Sequence, residues 1–114
     1  DALMEKIRKI DTYLAKGFGY FLKTLKSMPE GEGNVLDNSM VVYGSGLSDG
    51  NRHSHHDLPI VLAGKAGGTI QTGRHIKLEN ETPLNNLFLS MLDRMEAGVK
   101  AIGDSTGRLT QINA

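Results

Sequence analysis

Apolar residues recur at alternating steps of three and four from Leu3 through Ile7, Ile10, Leu14, Phe18, Phe21 and Leu25 to Met28, the spacing of one stripe along a long helix. Lys6, Lys9, Lys16, Lys23 and Lys26 fall between these positions and are expected to face water, so the stripe reads as a core-facing surface. Pro29 closes the pattern, and Gly31 and Gly33 follow in an acidic turn. Gly17 and Gly19 lie inside the helix, where each costs about 1 kcal/mol relative to Ala, which asks for close packing or a bend there.

The pattern then changes. Met40–Tyr43 and Leu58–Ala63 are short runs that are apolar at every position, each followed by glycine. Continuous apolarity suits strands covered on both faces, and Ser45–Asp57 between them is long enough for a crossover, so the two strands are expected to be parallel. Thr69–Leu78 reads as a hairpin or extended pair around Gly73. Thr82-Pro83 is a helix start, with the hydroxyl accepting from an early backbone N–H and the proline presetting φ. Leu84, Leu87, Phe88, Met91, Leu92 and Met95 form its apolar face and Gly98 a left-handed cap. The tail from Gly103 to Ala114 has turn chemistry and little apolar mass.

These elements predict an α/β chain: a partial three-layer sandwich with a short, mostly parallel sheet, one long N-terminal helix and one C-terminal helix. Residues 1–114 read as a single domain that is incomplete, because two strands buried on both faces and two sizeable helices leave sheet edges and apolar surface unprotected. A homo-oligomer, or a missing N-terminal portion of the same protein, would complete the sheet.

Composition narrows the partners. The 114 residues carry 13 Lys+Arg against 13 Asp+Glu, without the basic excess that a nucleic acid or an anionic membrane requires. No apolar run approaches the length of a membrane span. Cysteine is absent, which removes disulfide scaffolds and thiol catalysis.

Candidate chemistry concentrates between Asp49 and Asp57, where His53, His55 and His56 fall within four residues. In an extended segment His53 and His55 point to one side, so both can reach one divalent ion, zinc or calcium, with Asp49 or Asp57 as carboxylate ligand. The segment leaves the carboxyl end of an expected parallel strand, where open α/β sheets place ligand crevices. The other reading is a hydrogen-bonded loop whose histidines cap backbone groups. Arg74 and His75 are candidates for contacting an anion at the same sheet edge, against an exposed pair on a hairpin. Gly103-Asp104-Ser105-Thr106-Gly107 has the spacing of a nucleophile elbow, but no strand precedes it and no histidine follows it, so it reads as a turn.

Several stretches taken together resemble one family. The run Leu36-Asp37-Asn38-Ser39-Met40-Val41-Val42-Tyr43-Gly44-Ser45-Gly46 leads through Ser48-Asp49-Gly50-Asn51 to His53-Ser54-His55-His56-Asp57-Leu58-Pro59. Leu62-Ala63-Gly64, Thr72-Gly73-Arg74-His75, Thr82-Pro83-Leu84-Asn85-Asn86-Leu87 and Gly103–Gly107 follow, and Tyr20-Phe21-Leu22 and Leu25-Lys26 fit as well. This succession resembles the carboxyl-terminal part of the domain-of-unknown-function family 1552, a set of exported bacterial proteins. That family is distantly similar to the alkaline phosphatase and sulfatase superfamily. The resemblance implies export to the periplasm or beyond, and a part of a metal-dependent phosphate- or sulfate-ester hydrolase-like domain. Superfamily members place an Asp with a His or Asn directly after the first strand, where this chain has Ser45 and Gly46. No segment resembles the one that carries the superfamily nucleophile. The resemblance therefore implies no complete active site here. The alternative function is a noncatalytic exported module that assembles through its sheet edge or helix face.

Overall fold

The structure, a computed structural model, describes residues 1–79 and 81–114. Helix α1 runs from Ala2 to Ser27, opened by Asp1, whose carboxylate accepts from the Leu3 amide at 2.9 Å, and closed at Met28 just before Pro29. A tight antiparallel hairpin of β1 (Pro29–Glu30) and β2 (Gly33–Asn34) follows, with Gly31 at a φ of 55° in its turn. The short helix α2 (Val35–Asn38) is capped by the Asn34 side chain accepting from the Asp37 amide.

Strands β3 (Val41–Gly44) and β4 (Ile60–Ala63) occupy the two continuous apolar runs but pair antiparallel, with Val42 opposite Leu62 and Gly44 opposite Ile60. This corrects the expected parallel sheet and the three-layer sandwich with it: among the described residues there are two small antiparallel ribbons. The reason lies in the connection, which contains no helix and folds back on itself. Ser45 N donates to Pro59 O, Ser48 N to Ser54 O and Ser54 N to Asp49 O, so the two arms stay side by side as one long, irregular hairpin. A connection long enough for a crossover is also long enough for an extended hairpin, and only a helical pattern inside it would distinguish them.

Helix α3 (Leu84–Arg94) begins one residue later than expected. Thr82 Oγ1 donates back to Glu79 O instead of capping the helix, and α3 ends at Met95, before Gly98. Thr69–Leu78 is not a hairpin; apart from a single bridge between Ile70 and Asn113 it runs as irregular chain.

The buried core is small: Leu89 on α3 is buried, and Ile70, Leu87, Leu109 and Ile112 form one cluster, with Val42, Ile60 and Leu62 packed against it from one face of the β3–β4 ribbon. Leu109 and Ile112 belong to the tail that had little apolar mass by count, so two side chains there do what a longer element does elsewhere. Two arginines close this unit. Arg94 donates to Thr69 O, Ser90 O and the Asn113 side chain, joining α3 to both the Ile70 segment and the C-terminus. Arg108 grips the Asp93 carboxylate with two bonds of 2.8 and 2.9 Å and also reaches the carbonyls of Val99 and Lys100.

The other face of the ribbon meets only the last turns of α1, where Phe18 stacks on Tyr43 with ring centroids 4.7 Å apart. The rest of the α1 stripe packs against nothing: Leu3, Ile7, Ile10 and Leu14 are each more than half exposed, and no residue of the helix is buried. The expected core-facing helix thus adds no residue to the buried core, and only Phe18, Leu22 and Leu25 in its last three turns are half-buried.

The Arg108 guanidinium holds the Asp93 carboxyl below its ordinary range, and the Lys65 ammonium, 2.9 Å from Asp37, does the same there. A carboxyl whose folded value is depressed adds stability that is complete above its unfolded value, near pH 4, and is lost as pH falls through the lower folded value. The thermal midpoint is therefore expected to fall as pH drops below about 4, and less steeply in Asp93→Asn. An identical acid limb in that variant would remove Asp93 from the account.

Candidate functional site

The histidine segment sits at the far end of the β3–β4 hairpin, at a loop tip instead of at the carboxyl ends of adjacent parallel strands. With the strands antiparallel, β3 leaves the tip and β4 returns from it, so the rule that places crevices at parallel strand ends has nothing to act on. The tip is built by Asp49. Its Oδ1 accepts from the amides of Asn51 at 2.9 Å and Arg52 at 3.1 Å, and Oδ2 lies 3.7 Å from Arg52 Nε. This is the turn-forming use of an aspartate, and it engages the carboxylate that was read as a metal ligand.

His53 follows with a φ of 53°, in the left-handed region that tightens the turn, so the alternation expected of an extended strand is lost at that residue. His55 donates from Nδ1 to the Gly46 carbonyl at 2.9 Å; because a carbonyl only accepts, the proton is on Nδ1. That bond clamps the returning arm to the outgoing one. His56 lies 3.4 Å from Glu81, a pair exposed on both sides. Among the described residues no three histidine or acidic side chains gather as a metal-binding group. Asp49, His53 and His55 fit a hydrogen-bonded turn.

Arg74 is committed elsewhere. Nε donates to Gln71 O at 3.2 Å, and Nη2 to Gln111 O at 2.5 Å and Asn113 O at 3.2 Å, so the guanidinium ties the chain before it to the C-terminal tail. His75 is exposed beside it. Gly103–Gly107 is a turn: Ser105 Oγ accepts from the Ile102 amide at 2.9 Å and its own amide donates back to Ile102 O.

Two features were not legible in the sequence as functional. Asn86, 7% exposed, accepts from the Thr106 amide at 2.8 Å and donates to Thr106 Oγ1 at 3.1 Å, while its carbonyl accepts from Ser90 Oγ; this anchors the tail to α3. The second is a broad apolar groove of about 680 Å³ between the end of α1, the start of β3 and α3, lined by Phe21, Leu25, Met40, Phe88, Met91 and Met95 among others. Every one of these residues had been read as core. The groove's α1 wall is Phe21 and Leu25, and its methionines give it an adaptable apolar floor. Comparison with protein-family models, with curated proteins and with solved structures finds no match to this chain.

Proposed function

We propose that this chain is an interaction and structural module, with no complete active site of its own, that works by covering the apolar face of α1 and the groove beside it with further polypeptide. The uncovered α1 stripe carries this reading. The chain exposes 8568 Å² where a folded monomer of its 12.4 kDa exposes about 6,100 Å², an excess comparable to what a protein contributes to an extensive interface. Its radius of gyration of 16.0 Å likewise exceeds the roughly 13 Å expected for this length. With the family resemblance carried over, the module acts outside the cytoplasm. No helix among the described residues is long and apolar enough to cross a membrane.

Amide hydrogen exchange tests this. The first half of α1 has no tertiary partner in the single chain, and an isolated helix of about 12–15 residues is marginal in water. Amides from Ile7 to Leu14 are expected to exchange at least about 10-fold more slowly when the stripe is covered at high protein concentration than on dilution. Fast exchange that is the same at every concentration would count against assembly through this face.

A further inference from the structure

Resting on that reading of α1, we propose that the covering polypeptide is a second copy of this chain, with the two α1 helices antiparallel about a two-fold axis at Leu14. The apolar positions from Leu3 to Leu25 are spaced 4, 3, 4, 4, 3 and 4 residues apart, a series that is the same in both directions. Antiparallel pairing about Leu14 therefore brings Leu3 level with the second copy's Leu25 and Ile7 with Phe21, Leu14 meets its own equivalent, and Ile10 comes level with Phe18, whose ring is already stacked on Tyr43 of its own chain. The same surface serves both copies, which is the condition for a closed two-fold dimer.

The repeat is 11 residues over three turns, about 3.67 per turn, close enough to the helix's own 3.6 that the stripe stays on one face of a nearly straight pair. Lys9, Lys16 and Lys23 do not oppose the pairing, since at 100° per residue they lie on the side of the helix away from the stripe, while Asp11, at the stripe's edge beside Phe18, lies level with Gly17 of the second copy, which has open space where a Cβ would stand. The groove supplies the rest. The exposed first turns of one α1, with Leu3 and Ile7, come to lie over Phe21 and Leu25, which form one wall of the groove in the second copy. Each chain thus offers both an uncovered helix end and the apolar floor that receives it, and two such contacts form by symmetry.

The absence of cysteine makes the arrangement directly measurable. Leu14 is 51% and Leu3 65% exposed, so neither Leu14→Cys nor Leu3→Cys removes a buried side chain. Under mild oxidation Leu14→Cys is expected to form a covalent dimer. Leu3→Cys should not, because its two thiols would stand about 33 Å apart. Equal cross-linking of both variants, or of Leu3→Cys alone, would indicate parallel or unspecific contact and overturn the proposal. So would failure of Leu14→Cys to cross-link; if the α1 amides still gained protection with concentration, assembly through α1 would stand and only the two-fold arrangement would fall.

Discussion

Gly64→Ala is expected to cost about 3–5 kcal/mol, most of the stability of a domain of this size. Gly64 ends β4 at a φ of 94°, in the region that a side chain strains, and it is buried. A Cβ there would lie inside van der Waals contact of the Ser39 carbonyl oxygen, 2.8 Å from its carbon and 3.0 Å from Leu36 O. The neighbour cannot move aside cheaply. Ser39 O accepts from the Ala66 amide at 3.1 Å, Ser39 N donates to Leu36 O and Ser39 Oγ to Val35 O, so the backbone in the way is fixed by three bonds. Gly67→Ala serves as the comparison: its φ is also positive, at 67°, but a Cβ there meets nothing within 4 Å, and the cost should be about 1 kcal/mol. Urea unfolding of the two variants measures the difference. Similar midpoints would mean that the seam between β4 and α2 is not as close as the structure has it.

The second large effect is on assembly. Ile7→Asp/Ile10→Asp places two carboxylates in the exposed stripe, at positions 52% and 58% exposed and outside the buried core. The core around Leu87 and Ile112 should therefore keep its unfolding midpoint, while the dimer must desolvate four unpaired charges. Burial of even part of that charge weakens association by upward of about 100-fold, roughly 3 kcal/mol. Equal loss of core stability would show instead that the stripe packs within its own chain.

Much of the local structure was legible and the assembly of it was not. Pro29 marks the end of α1 through chemistry that acts within a few residues, a ring that cannot continue the helix, whereas the Asp1 carboxylate on the Leu3 amide is a cap that the structure adds. The β3 and β4 runs are strands where their apolarity places them. Their relative direction depends on the connection, whose fold rests on Asp49 and on the left-handed His53, both of which also suited a ligand set. Leu109 and Ile112 escaped notice as core because two apolar residues in a polar tail have no period to detect. The stripe on α1 predicts a core-facing helix, and in the structure that face is largely exposed. Periodicity reports that a face must be covered, not whether the cover comes from the same chain.

The candidate site divides the same way. Asp, His and Arg are ligand types and turn-building types at once, and spacing along the chain does not separate the two uses. Asp49 accepting from two backbone amides, His55 clamped on Gly46 O and Arg74 on two tail carbonyls are roles that appear only when the distant partner is in place.

The most direct test of assembly through α1 is the molar mass in solution by light scattering over a range of concentrations. The account predicts a mass that rises from 12.4 kDa on dilution to twice that value, and an Ile7→Asp/Ile10→Asp chain that stays at 12.4 kDa throughout. A wild-type chain that remains at 12.4 kDa at every concentration, with α1 intact, would contradict it.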